Sequence, residues 1–362
     1  MTIKGNIGEW SEIYTLLKVL GEEKLYAGNE SLEKLEDIVY PVIKVLRTEA
    51  SGDFEYQINQ NIVFISSNGK ELLRLPAEEF TRKAQITLKQ VLNNKKLKNT
   101  TFAIPEIEAF MEQIHCKSLK ASSTQKTDIT IVIHDEKTNQ QPVLGFSIKS
   151  QLGSPSTLLN AGKTTNFRYK VNGLTSTQLA EINAIEGRKK IIDRVAKIKI
   201  LGGILTFDKI LNSTFSNNLI LIDSLLPQII SEMLLSFYTK DSSTVADLVQ
   251  LIENSNPIGF DNSNEHRFYT YKVKKMLTDM ALGLTPAKVW TGKYDATGGY
   301  LVVKDDGEVL CYHLYNRNDF EDYLFANTKL ETASTTRYAF GSIYQEGEDL
   351  YFNLNLQIRF IK

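Results

Sequence analysis

Residues Thr127–Ser150 read TDITIVIHDEKTNQQPVLGFSIKS, and the fold turns on them. Two β-branched and aromatic-rich runs, Thr127–His134 and Val143–Ser150, flank a polar turn at Asp135–Gln141. Side chains alternate faces along a strand, so residues two apart share a side. In the first run Ile129, Ile131 and Ile133 make the apolar face, leaving Asp128 and Thr130 opposite. In the second, Leu144, Phe146 and Ile148 point to a core, while Ser147 and Lys149 face away, with Gln151 in line if the strand continues. Antiparallel pairing with the apolar faces together brings the Asp128 carboxylate and the Lys149 ammonium to one end of a sheet.

An acid and an amine so placed suit phosphodiester hydrolysis. A divalent cation held by carboxylate oxygens neutralises charge on the phosphoryl oxygens, and a lysine hydrogen-bonds the attacking water or the phosphate. The same hairpin is also an ordinary amphipathic pair with one acid and one base on its wet side, and spacing alone favours that plainer reading. Mg²⁺ needs a second carboxylate, yet the position two before the lysine is Ser147, which offers a neutral oxygen. The opening GEWSEIY supplies Glu9 and Glu12, three apart and close on one helical face. Acids in a first helical turn also favour the helix dipole, which accounts for at least one of the two without a metal.

Working outward, Glu9–Leu20 and Ser31–Arg47 carry helical periodicity; in the second, Leu32, Leu35, Ile38, Val39, Val42 and Ile43 form a stripe. Phe54–Ile65 reads as short strands, Ala77–Leu92 as a helix, and Pro105 opens a helix to about His115. After the hairpin come a Gly/Ser/Thr/Asn-rich loop at Gly153–Asn166, helices at Thr175–Ile185 and Arg188–Ile200, and a mostly helical stretch Ser216–Gly283. The tail reads as strands at Tyr300–Lys304, Val309–Tyr315 and Tyr351–Phe360 around a helix Asp319–Ala326. The expected fold is α/β (α+β), with a helical insertion and a β-rich C-terminal part. Its expected division is 1–215 for the core, including the 127–151 hairpin, and 216–362 for the remainder.

The 362 residues carry 42 Lys+Arg against 43 Asp+Glu, so no whole-molecule basic field advertises a polyanionic partner and any such surface is local. Two distant cysteines, Cys116 and Cys311, exclude a disulfide framework and a thiolate zinc site and fit a reducing cytoplasm. The polar N-terminus has no signal-peptide run, and the longest apolar stretches, such as Leu219–Leu226, are too short for a bilayer; a cytoplasmic protein without a membrane role is expected. Gly162-Lys163-Thr164 imitates the end of a nucleotide-binding loop, but Thr157 stands where its first glycine belongs. The four histidines, His115, His134, His266 and His313, form no HxH or HExxH spacing, and His313 reads as a packed core residue.

GEWSEIY, TDITIVIHD, LGFSIKSQLGSPSTLLNAGKTTNF, GGYLVVKDDGEVLCYHLYNRNDFEDYL and LNLQIRFI together resemble the HpaII-type type II restriction endonucleases, nearly end to end. The resemblance implies a PD-(D/E)XK restriction-endonuclease-like core with a mixed sheet flanked by helices, Mg²⁺ dependence, and double-stranded DNA cut at a short palindrome, CCGG in the name-giving enzyme. It also implies a methyltransferase acting on the same site. Thr127-Asp128 then stands for the "PD" and Ser147-Ile148-Lys149 for the "(D/E)XK", without the proline and the second acid. Glu12 is the first choice for the further metal ligand and Glu9 the second. A palindrome favours a homodimer, although some short-site enzymes act as monomers.

Reading C·G pairs calls for Arg or Lys donors to guanine and acceptors for cytosine. Lys163, Arg168, Arg317 and Arg337, each in a loop-like segment, are candidate donors, with Gln151 and Asn166 as further base or phosphate contacts. Lys190, Arg194 and Lys197 line one helical side and suit either phosphates or solvent, and Arg267–Lys275 has the same ambiguity. A DNA-binding protein with a degenerate nuclease core is the alternative that the missing acid motivates. A nuclease acting on RNA or on branched repair structures is a third.

Overall fold

The computed structural model describes residues 2–95, 100–120, 127–135, 139–239 and 242–361. Residues 136–138 of the expected hairpin turn lie outside them. In chain order the elements are α1 (Ile7–Glu22), β1 (Lys24–Gly28), β2 (Lys34–Glu49), β3 (Gly52–Asn59), β4 (Ile62–Ser67), β5 (Lys70–Pro76), α2 (Ala77–Asn94), α3 (Pro105–Gln113), β6 (Ile129–Ile133) and β7 (Val143–Ser150). Then come β8 (Thr157–Leu159), β9 (Asn166–Asn172), α4 (Ser176–Asn183), α5 (Lys190–Ile200), β10 (Ile204–Ile210), α6 (Ser213–Ile222), α7 (Leu226–Thr239), α8 (Val245–Ser255) and α9 (Phe268–Leu282). The chain closes with β11 (Gly299–Val303), β12 (Val309–His313), α10 (Arg317–Ala326), β13 (Thr328–Leu330), α11 (Thr335–Tyr338), β14 (Ile343–Glu346), β15 (Asp349–Asn355) and β16 (Ile358–Phe360). Among the described residues no single helix is long and apolar enough to cross a membrane.

Two compact units divide these elements: 1–156 with 294–323, and 157–293 with 324–361. The boundary expected at 215 therefore falls inside the second unit, within α6. The physical reason lies in pairings distant in sequence. β11 joins β7 in parallel, Gly299 beside Phe146 through Val303 beside Ser150, and so carries residues near 300 back to the first unit.

The first unit is a nine-stranded mixed sheet in the order β1-β12-β11-β7-β6-β2-β3-β4-β5, and β1 also pairs with β2, so six of the strands close a ring. Only β1–β12 and β11–β7 run parallel. The helix expected over Ser31–Arg47 is instead the long strand β2. Its stripe is built from Ile38, Val39, Val42 and Ile43, whose branched Cβ atoms crowd a helical turn, and Pro41 removes an amide that a helix interior needs. Pleating suits both, and β2 bends from β1 at Leu35–Pro41 to β6 at Val42–Leu46.

Helix α1 packs against the sheet and α2. Asn6 and Glu9 form a reciprocal capping box at its start, the Glu9 amide donating to Asn6 Oδ1 at 3.0 Å and the Asn6 amide to Glu9 Oε2 at 2.8 Å. Trp10, Ile13 and Leu17 are wholly buried together with Ile131, Phe146 and Leu301. His313 is buried as expected, its ring tilted against Tyr40 and Phe146.

The second unit holds a four-stranded antiparallel sheet, β10-β9-β15-β14, and a three-stranded one, β13-β16-β8, with the helices α4 to α9. Part of the expected loop Gly153–Asn166 is ordered as β8 and a 3-10 turn, Lys163–Thr165. The expected single strand Tyr351–Phe360 is two, β15 and β16, in different sheets. Asn355 makes that corner. Its amide donates to the Gly162 carbonyl at 2.7 Å and to Asn166 Oδ1 at 2.7 Å.

Arg47 on β2 is buried with Glu49: its Nε donates to Glu49 Oε1 at 2.6 Å, its guanidinium reaches the Ser118 carbonyl, and the Ser118 hydroxyl donates to Glu49 Oε2 at 2.8 Å. Replacing Arg47 by Ala strands a buried carboxylate, so urea denaturation should show a loss of about 3–5 kcal/mol. The double change Arg47→Met with Glu49→Leu should recover most of it. A loss under about 1 kcal/mol for the single change would show that the pair is not held away from water.

Candidate active site

β6 and β7 pair antiparallel with Ile129 opposite Phe146, and the next register position sets Asp128 opposite Ser147. Asp128 closes the ladder by donating its amide to the Phe146 carbonyl at 2.9 Å. The odd-numbered residues of β7 share a side, so Lys149 stands beside Ser147 on the same face. The expected meeting of acid and amine at one sheet end is observed, and the contact between them runs through a hydroxyl. Ser147 Oγ donates to Asp128 Oδ2 at 3.0 Å and accepts from Lys149 Nζ at 2.9 Å. The Ile148 amide donates to the same Asp128 oxygen at 2.7 Å. Two donors on Oδ2 orient the carboxylate.

Burial governs the electrostatics here. It lowers the Lys149 pKa from its usual value, and the charges of Asp128 and Glu12 pull it back up. Glu12, on α1, is pushed up to about 8, first by burial and next by the Asp128 carboxylate. These cross-influences mean that the three groups sense one another although they come from three elements. Their mutual arrangement is not that of a three-ligand cage: among the described residues no group of three His, Cys, Asp or Glu side chains converges. A buried carboxyl beside a second carboxylate nevertheless suits Mg²⁺, which is commonly held by one or two carboxylates with waters and substrate phosphates.

Glu9 is committed elsewhere. Its Oε2 closes the α1 capping box, and Lys120 Nζ lies 3.3 Å from its Oε1. Between the two acids of GEWSEIY, Glu12 is the one whose pKa the Asp128 carboxylate raises, after burial. A cleft of about 690 Å³ opens on the Glu12 side, lined by Gly8, Lys120, Ile148, Ser150 and Ser154 among others. Ser11 Oγ reaches Ser150 Oγ at 2.8 Å, tying α1 to the end of β7.

The six expected DNA contacts separate by exposure. Lys163 and Arg337 are exposed, Gln151 is half-buried immediately after β7, and Arg317 opens α10 half-exposed with Nε on Glu321 Oε1 at 2.7 Å. Asn166 and Arg168 do not reach a surface. Asn166 is buried, its amide donating to the Tyr338 carbonyl at 2.9 Å. Arg168 is buried against Tyr351 and paired with Asp208 at 2.6 Å and Glu346 at 2.8 Å. Loop-like neighbours suggested exposure for both, but they sit on β9, the inner strand between β10 and β15. Arg194 of the basic run is likewise turned inward onto the carbonyls of Asn183, Ile185 and Gly341, while Lys190 and Lys197 pair with Glu186 and Glu181.

Tyr300 is absent from the sequence reading. Its ring lies beneath Lys149 Nζ, 4.9 Å from centroid to nitrogen. Its only local signal was a strand, because its partner lies about 150 residues earlier.

A family model described as HpaII restriction endonuclease matches residues 6–360. The chain is 46% identical over 360 residues to the type II restriction enzyme HpaII of Haemophilus parainfluenzae, covering 99% of this chain and 98% of that protein. No solved structure matches.

A carboxyl raised in the folded state favours folding at low pH and loses that contribution as pH climbs from 4.5, its usual value, through about 8. With metal removed by EDTA, Glu12→Gln should melt higher than the unaltered protein at pH 8.5. The difference should shrink steadily toward pH 5, as differential scanning fluorimetry can follow. A pH-independent difference would show that Glu12 is not held protonated by its surroundings.

Proposed function

The chain belongs to the HpaII restriction endonuclease family, and on that premise we propose that Asp128, Glu12, Ser147 and Lys149 are its catalytic group on a PD-(D/E)XK core. As a member it is a type II site-specific deoxyribonuclease. The observation that carries the site assignment is the continuous Asp128–Ser147–Lys149 hydrogen-bonded row on one face of adjoining strands, with Glu12 electrostatically coupled to both ends.

In this reading Asp128 and Glu12 hold Mg²⁺. The cation, when bound, would supply positive charge to the oxygens of the scissile phosphate. Lys149 hydrogen-bonds the attacking water or a phosphate oxygen and orients the one toward the other. Ser147 fixes the ammonium and the Asp128 carboxylate at a set separation. It takes the place of the acid of the PD-(D/E)XK pattern without adding a third negative charge. Attack by water expels the 3′ oxygen, giving 5′-phosphate and 3′-hydroxyl ends.

The substrate is double-stranded DNA, and the recognised site is CCGG, by likeness to the name-giving enzyme. Lys163, Arg337, Arg317 and Gln151 are the proposed base and phosphate contacts, and Asn166 and Arg168 are reassigned to holding β9 in place. A methyltransferase for the same site and a two-fold dimer on the palindrome belong to the same reading.

Unmethylated plasmid incubated with the purified protein and Mg²⁺ should yield discrete fragments at CCGG, and EDTA should abolish them. Lys149→Ala and Asp128→Ala should each slow cleavage by about 100-fold or more while DNA affinity stays within a few-fold. Loss of affinity together with cleavage would make Lys149 a structural or recognition residue. Binding without fragments in the unaltered protein would indicate a degenerate core.

A further inference from the structure

Lys149 presents a problem of retention. Its ammonium is held in surroundings whose burial disfavours its charge, and the position that carries an acid in the PD-(D/E)XK pattern is Ser147 here. Among the described residues, its hydrogen-bond acceptor is that single neutral hydroxyl, at 2.9 Å. The other feature against the ammonium is the face of Tyr300, 4.9 Å from Nζ. Tyr300 lies directly across the parallel β7–β11 pair from Ser147 and is 2% exposed. Phe320 of α10 meets it edge to face at 5.3 Å and 82°. An aromatic face carries negative electrostatic potential, strongest toward a cation drawn out of water. The ring thus offers part of the negative environment that a carboxylate at position 147 would give, without competing for the cation or repelling Asp128.

We propose that Tyr300 is a positioning residue for cleavage, its ring face holding the Lys149 ammonium so that the N–H donors not bonded to Ser147 reach the scissile phosphate and the attacking water. The proposal rests on the reading that Lys149 acts in cleavage. Single-turnover cleavage with Mg²⁺ and DNA affinity in EDTA are to be measured on the full chain. Tyr300→Phe keeps the ring face and should stay within about twofold of the unaltered protein. Tyr300→Leu removes it and should slow cleavage by about 10-fold with affinity unchanged. Phenylalanines bearing one, two and three ring fluorines at position 300 keep the shape while weakening the quadrupole stepwise, and the rate should fall with each fluorine. That series decides the matter even where the leucine variant fails to fold. A rate flat across the series, in a protein whose cleavage depends on Lys149, overturns the role given to Tyr300. Absence of cleavage by the unaltered protein, or cleavage indifferent to Lys149→Ala, overturns instead the reading on which it rests.

Discussion

A lysine ammonium placed where water is scarce sets the terms for this molecule. Such a charge persists only where fixed dipoles or opposite charges compensate it. Here the compensation is distributed: a hydroxyl at hydrogen-bond distance, an aromatic face, and two carboxylates acting through space. Each arrives on a different element, β7, β11, the end of the β6 run and α1. The site therefore exists only when these four are assembled.

The surrounding architecture meets that requirement with rigid parts. Asp128 is oriented by two donors from the neighbouring strand, one of them a backbone amide. α1 is fixed at its start by the Asn6–Glu9 capping box and at the site by the Ser11–Ser150 contact, which sets Glu12 relative to β7. The cost shows in Glu12, whose pKa is pushed up to about 8 by burial and next by the Asp128 carboxylate. Strain of this kind is typical of sites built to receive a cation, since binding relieves it.

Arginines show how context overrides composition. Arg47, Arg168 and Arg194 are all buried and fully engaged with carboxylates or carbonyls. None is available to a phosphate, although two of them looked eligible from their neighbours. A planar guanidinium with five donors is as useful for tying loops to strands as for reading guanine. Lys163 and Arg337 are exposed, a difference that only burial reveals.

The hairpin, its apolar alternation, and the shared side of Asp128, Ser147 and Lys149 followed from the sequence, because a period of two is a local property and opposing register follows from which face is buried. So did α1, α2 and α3, whose start signals are local, and the family itself through its long motifs. β2 was misread as a helix because a stripe of apolar residues fits both periods over a short window, and only its pairing with β1, β3 and β6 decided the matter. The inward turn of Asn166 and Arg168 and the place of Tyr300 under Lys149 depend on contacts between residues tens to hundreds apart. Those contacts arise when distant strands and helices bury their apolar faces together, and such burial leaves no mark on local spacing.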